Sequence, residues 1–212
     1  MTHVFLQSEA KKRLKTAVEA VEEVSAAEIM VVIRPWSGRY WHASLLGGAA
    51  TGLIMLLVAL YSPWHFSELA VVLNVVLGFV LGAALVHVVT PLKLLLAGSG
   101  AISERVQTNA QAHFYRLGVD RTRDRSGILL FVSLMEGRAE LVPDVGITTA
   151  LGQDDWKTLA VGSTGVLRAK GMGMPGLEAL AASIEAMAEP LADAMPVRED
   201  DINELPDIVE DA

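Results

Sequence analysis

Three aspartates, Asp120, Asp124 and Asp144, are the side chains of this sequence best suited to chemistry. The first two lie in a polar run, Asp120-Arg-Thr-Arg-Asp-Arg-Ser-Gly127, with Arg121, Arg123 and Arg125 between them. Before Asp144, residues 138–143 alternate polar and apolar and read as a strand. Residues 128–134 are apolar almost throughout and read as a central strand, with Met135-Glu-Gly137 as a tight turn between the two. Placing Leu134 opposite Arg138 puts Ile128 opposite Asp144. The loop before one strand and the residue after the next then meet at one end of the sheet, and the three carboxylates converge there. Such oxygen clusters hold hard cations, Ca²⁺ or Mg²⁺, and a carboxylate so placed suits phosphoryl chemistry. The plain alternative is a solvated loop in which Asp and Arg pair with each other.

Other chemistry finds little support. There is no cysteine, which excludes disulfides, iron–sulfur ligation and thiol catalysis and fits a reducing compartment. The five histidines have no metal-ligand spacing, and no Ser/His/Asp arrangement is readable. Gly171-Met-Gly173-Met-Pro-Gly176 is a literal G-x-G-x-x-G, but no predicted strand precedes it, so it reads as a loop between helices. The net charge is −8, and seven of the acids fall in the last 14 residues; without them the balance is −1. No broad basic surface exists to hold nucleic acid. Residues 1–8 lack a basic start, apolar run and cleavage site, so no secretory leader is expected.

The elements that must position the aspartates begin with a helix near 8–24, with Leu14, Ala17, Val18, Val21 and Val24 on one face and Ser8 as its cap. Lys11, Lys12, Arg13 and Lys15 crowd its start, where they oppose the helix dipole; they suit either a solvated face or anionic headgroups. A buried strand follows at 28–34, stopped by Pro35. A second amphipathic helix is expected at 101–117, and further helices at 156–167 and 177–195, with Pro190 kinking or ending the last.

Between the first strand and the second helix the chain changes character. No charge appears between Arg39 and Glu68, or between Glu68 and Lys93. The apolar runs 43–60 and 69–89 within these gaps approach the roughly 20 residues needed to cross a bilayer of about 30 Å. They read as a transmembrane hairpin turning at Pro63. Lys and Arg flank it on both sides and are absent from the turn, which places both flanks in the cytoplasm. Tyr61, Trp64 and Phe66 suit the outer interface, and Tyr40 and Trp41 the inner one. Gly48 and Gly52 on one run, and Gly78 and Gly82 on the other, make small faces that pack the two helices on each other or form a homo-oligomer seam. Asn74 and His87 are the strongly polar side chains within the spans. The expected organisation is therefore a soluble domain in two pieces, 1–40 and 93–196, a hairpin at 41–92, and an acidic tail at 197–212 whose Asn-Glu-Leu-Pro-Asp core can dock on the domain or a partner. The order of elements indicates a small α/β fold with helices on a mixed sheet.

Several of these residues resemble the TPM domain family, named for a role in photosystem maintenance and a phosphatase annotation. Ser25-Ala-Ala-Glu28-Ile-Met-Val-Val-Ile is similar to the family's first strand. Arg125-Ser-Gly127-Ile-Leu-Leu-Phe-Val-Ser133 is similar to its central strand, with Arg125 where many relatives carry Asp. Arg138-Ala-Glu-Leu-Val-Pro-Asp144-Val-Gly146-Ile147 is similar to the next strand and the glycine after it. Trp156 and Asp201-Ile-Asn-Glu-Leu-Pro-Asp207 resemble a bacterial subgroup that inserts two membrane helices after the first strand. The resemblance implies an α/β/α sandwich, divalent-cation binding (usually calcium), and either an acid phosphatase activity or an accessory role in membrane complexes. Two functional expectations follow: an inner-membrane accessory or scaffold protein, and a divalent-cation-dependent phosphatase.

Overall fold

The computed structural model describes residues 3–197, 204–206 and 208–210. The chain divides into two compact units, one of residues 1–37 and 105–212, the other of residues 38–104.

The first unit is built on a mixed sheet. β1 (Glu28–Arg34) pairs in parallel with β2 (Gly127–Ser133), and β2 pairs antiparallel with β3 (Arg138–Pro143). A short β4 (Ile208–Glu210) adds on the other side of β1, giving the order β3-β2-β1-β4. β1 and β2 are apolar at nearly every position because both faces are covered. Ile29, Val31 and Ile33 with Ile128, Leu130 and Val132 face one core, which α1 (Ser8–Glu22), α7 (Gln153–Lys170), α8 (Met174–Glu185) and α9 (Ala188–Ala194) close with Leu14, Val18, Leu167, Leu180 and Leu191. Met30, Val32, Leu129 and Phe131 face the other, closed by Val106, Ala110 and Phe114 of α5 (Ser99–Arg116). The expectation of helices on a mixed sheet is met, and the bounds of β1 and β3 are those read from the sequence.

Three local expectations are corrected. Ser8 does not cap α1; it is the first helical residue, after Gln7, whose side chain makes no capping bond. The region 177–195 is two helices broken at Ala186 and Met187, and Pro190 sits in the opening turn of α9, where a missing N–H costs nothing. The β2–β3 register is one residue off the expectation: Ser133 faces Arg138, and Ile128 faces Pro143. The reason is that Leu134 leaves β3 and donates its N–H to Arg34 O, at 2.9 Å, so the turn has four residues and Gly137, at φ +62°, closes it. Of the basic residues at the start of α1, Arg13 bonds Glu178 and Glu185 of α8 at 3.0 and 2.6 Å, while Lys12 and Lys15 are exposed. Gly171 and Gly173 end α7 and open α8, so residues 171–173 of the glycine-rich motif are the expected interhelical loop and Met174, Pro175 and Gly176 begin α8.

The second unit contains α2 (Trp41–Tyr61), α3 (Glu68–Val88) and α4 (Thr90–Ala97). α2 and α3 are each 21 residues long, and both are long and apolar enough to cross a membrane. They form a hairpin whose glycines face inward. A Cβ on Gly48 would stand 2.8 Å from Phe79 O, and one on Gly82 would stand 2.8 Å from Gly47 O. Gly52 and Gly78 lie in the same seam. Backbones this close let Thr51 reach across: its Oγ1 is 2.8 Å from Gly78 O and 2.9 Å from Gly47 O in its own helix, and its one proton serves either. The outward faces carry Leu45, Leu53, Leu57, Leu73, Leu77, Leu81 and Leu85, all exposed.

Candidate functional site

The sequence-predicted site lies where β3 ends. The Asp144 N–H donates to Gly127 O at 2.8 Å, so the residue after β3 does meet the loop before β2. Asp144 then caps α6 (Val145–Leu151): its Oδ1 accepts the Val145 N–H at 2.7 Å. Its Oδ2 is 2.9 Å from Arg125 Nε, an ion pair in which the N–H is not aimed at the oxygen, and Oδ2 accepts no hydrogen bond. The carboxylate is buried and the guanidinium half-exposed.

The loop is shaped to make this contact. Thr122 Oγ1 accepts the Ser126 N–H at 2.9 Å, and Thr122 O accepts the Arg125 N–H at 3.1 Å. That tight turn drives Arg125 to φ +56°, a left-handed backbone that a non-glycine residue rarely adopts. Arg125 O then accepts the Gly146 N–H at 3.0 Å. Gly146 has to be glycine: a Cβ there would stand 2.4 Å from Asp124 O and 2.5 Å from Arg125 O. The structure thus joins Asp144 to Arg125 by charge and to Gly127 by the backbone, while Asp124 O packs against Gly146. The Asp124 side chain is exposed, and Asp120 is half-buried with Oδ1 accepting no hydrogen bond. Among the described residues, no three His, Asp or Glu side chains are grouped to hold a metal ion.

A second polar cluster, at the opposite end of β2, was not anticipated. Ser37 Oγ donates to Ser133 Oγ at 2.6 Å, and Ser133 Oγ donates to Glu136 Oε2 at 2.5 Å. Glu136 Oε1 accepts the Ser37 N–H at 2.9 Å. Asn109 Nδ2 donates to Ser37 O at 2.8 Å, and the His113 Nδ1–H donates to Asn109 O at 2.7 Å. The His113 ring packs on Phe131 with centroids 5.2 Å apart. Burial pushes the His113 imidazole below its usual pKa, and the nearby Arg116 and Arg34 charges add to this against the Asn109 bond. All four side chains named with Glu136 except Asn109 are buried, as is Glu136 itself. Each hydroxyl proton in the chain is committed toward the carboxylate, so the cluster ties backbone segments together and presents no free nucleophile. It fixes Ser37, the last residue of the first unit before the chain leaves, to Asn109 shortly after the chain returns. The only local sign in the sequence is Ser-x-x-Glu across a strand end; the partners come from positions 96 and 99 residues apart.

Two surface clefts of this unit also carry polar groups. One of about 310 Å³ is lined by Glu19, Glu22, Glu23 and Glu28 with Ser25 and Val197. Within it Glu22 accepts the Ile29 N–H at 3.1 Å, so part of that acid caps β1. Another of about 250 Å³ lies between Arg116, Arg121, Thr122 and the segment 204–206. Both Glu28 carboxylate oxygens are 3.0 Å from the Glu204 N–H, and Glu204 Oε2 accepts the Arg123 N–H at 3.1 Å. Leu205 packs on the core beneath α5. The expected docking of the tail on the domain is seen at 204–206; its acids Glu199, Asp200, Asp201, Asp207 and Asp211 lie outside the described residues.

No protein-family model matches the chain, and no curated protein does. A solved structure does. It is the NMR structure of the BA42 protein from the psychrophilic bacterium Bizionia argentinensis, with a TM-score of 0.57 at 18% identity, over 98% of this chain and 96% of that one. The likeness is one of fold. It accounts for nearly the whole length of both chains and carries no residue of function from one to the other.

Proposed function

We propose that this chain is a membrane-anchored, TPM-like α/β domain that serves as an accessory or scaffold protein for a membrane complex. The soluble unit and both flanks of the hairpin face the cytoplasm, and the anchor sits in the inner membrane. The observation that carries the reading is the outer surface of the hairpin. At 1.5 Å per residue each helix is about 31 Å long, close to the thickness of the hydrocarbon core. The glycines and Thr51 are spent inside the hairpin, while the outward leucines, valines and isoleucines remain exposed. An apolar face of that extent needs a lipid or protein cover. Trp64 and Tyr61, 75% and 85% exposed at the turn, are the residue types that favour a membrane interface. The scaffold role is supported by the Ser37–Ser133–Glu136 chain, whose hydroxyl protons are committed to one another and to the carboxylate.

The absence of cysteine makes the test direct. A single cysteine at Ser67, in the turn, is expected to react with a membrane-impermeant maleimide in intact cells, and one at Ser183 only after lysis. Release of the protein by alkaline carbonate, or external labelling at Ser183, would reject the anchor. Purification of the full chain in mild detergent is then expected to bring down a membrane protein in stoichiometric amount; its absence would reject the scaffold role.

The second reading, a phosphatase using Ca²⁺ or Mg²⁺ at Asp144, Asp124 and Asp120, draws on the buried oxygens of Asp144 and Asp120 that accept no hydrogen bond. The residues as arranged fit a cation poorly, because Arg125 already places a positive charge 2.9 Å from Asp144 Oδ2. Calorimetric titration of the full chain with Ca²⁺ and with Mg²⁺, beside Asp144→Asn, decides it.

A further inference from the structure

The one hydrogen-bonding side chain on the outward face of the hairpin's long helices that lies well inside a span is Asn74. It is exposed, and its carboxamide makes one hydrogen bond, from Nδ2 to Ala70 O at 3.0 Å in its own helix. Asn74 is six residues into α3, about 9 Å along the helix from Glu68, within the hydrocarbon in the membrane reading on which this inference rests. A carboxamide there has an acceptor oxygen and a second N–H with nothing to bond in lipid, which is costly.

The neighbours of Asn74 form a seam. Ala70, Asn74, Leu77, Leu81, Ala84 and Val88 recur at alternating spacings of four and three, the a/d pattern of helices that cross at a shallow left-handed angle. All are exposed except Ala70, which is half-buried. The stripe lies roughly a third of a turn around α3 from the glycine face that meets α2, at 100° per residue. It has Ala70 at one end, leucines at its middle, and Ala84 before Val88 at the other.

We propose that a second copy of this chain covers this stripe, α3 against α3 about a two-fold axis, with the two Asn74 side chains bonded to each other. The choice of occupant follows from the chemistry of the group. A carboxamide carries one donor face and one acceptor face, so two of them related by a two-fold satisfy each other with a reciprocal pair of bonds. An asparagine at a single a position fixes register and favours a two-stranded pairing. The glycine faces, closed within each hairpin, are not needed for the contact.

The test uses the full chain in phosphatidylcholine vesicles with single cysteines, for which the native sequence offers no background. Leu77→Cys and Leu81→Cys are expected to form disulfide-linked dimers under copper–phenanthroline oxidation. Val72→Cys and Val76→Cys, exposed on the far side of the same helix, are expected to give few. Asn74→Val in the Leu81→Cys background should lower the dimer yield on dilution with lipid by on the order of tenfold, and Asn74→Gln should restore much of it. Equal cross-linking at all four positions, or a dimer indifferent to Asn74→Val, would overturn the seam. A partner protein that protects Leu81→Cys in cell membranes, with no homodimer in vesicles, would overturn it as well. Alkaline extraction of each variant separates the two readings: loss from the membrane fraction rejects the anchor itself, whereas retained monomer rejects only the pairing.

Discussion

Truncating Glu136 tests whether the buried polar chain holds the first unit where the hairpin begins and ends. In Glu136→Ala the Ser37 N–H and the Ser133 hydroxyl both lose their acceptor, and both groups are buried. Each buried donor left unpaired costs about 1–3 kcal/mol, so the two together cost about 4 kcal/mol. Glu136→Gln has a way out that Ala lacks. Its Oε1 still accepts the Ser37 N–H, and its amide can donate to Ser133 Oγ if the hydroxyls turn, so that Ser133 donates to Ser37. The reversed chain keeps both bonds but leaves the Ser37 hydroxyl proton without an acceptor, a cost of about 2 kcal/mol. The contrast of about 2 kcal/mol between the two variants, by the same reckoning, is the quantity to measure. Trp156, buried in the core of this unit, reports its unfolding by fluorescence in urea once Trp36, Trp41 and Trp64, all exposed, are changed to Phe. The full chain in mild detergent serves throughout. Alanine and glutamine variants within about 0.5 kcal/mol of each other, too small a gap for an unpaired buried donor, would refute the reasoning.

Three further outcomes are expected. Asp144→Asn keeps a good helix cap and loses only the pair to a half-exposed Arg125, costing about 1 kcal/mol or less, whereas Asp144→Ala loses both and costs about 2 kcal/mol, read as a shift in urea midpoint. His113 has a folded pKa below its unfolded value, so its contribution is whole above the unfolded value near 6.5 and is lost as pH falls from there toward the folded value; His3 is shifted in the same direction. Urea unfolding between pH 7.5 and 5 should show that slope, and His113→Gln should flatten part of it. Gly82→Ala puts a methyl against Gly47 O and Thr51 and should lower the midpoint of thermal helix loss in detergent, whereas Gly100→Ala, with nothing within 4 Å, should leave it in place.

The elements that could be read directly are those whose pattern is local and strong. β1 and β3 kept their bounds, and both long apolar helices fell within two residues of expectation at each end. What was missed depends on partners far along the chain or on runs too short to have a period. Residues 145–151, rich in β-branched types, form a helix because Asp144 caps one end and Gly152, at φ +88°, releases the other. β4 is three residues long and owes its pairing to β1. At the candidate site, the meeting of Asp144 with the 120–127 loop was legible from the hairpin, but the register depended on where Leu134 sends its N–H. That depends on Arg34, a hundred residues earlier. The Ser37–Ser133–Glu136 chain has the same character and left almost no local trace.

The place of β1 in the sheet has a consequence for how the protein is made. Both strands that pair with it, β2 and β4, follow the hairpin in the chain. A ribosome adding about 5–20 residues per second needs roughly 5–20 s to travel from the end of β1 to the end of β2. During that interval an apolar strand waits with both edges bare. The hairpin has therefore left the ribosome before the sheet can close. Any delay in synthesis between the two strands prolongs the time in which Glu-Ile-Met-Val-Val-Ile-Arg can pair with the wrong chain.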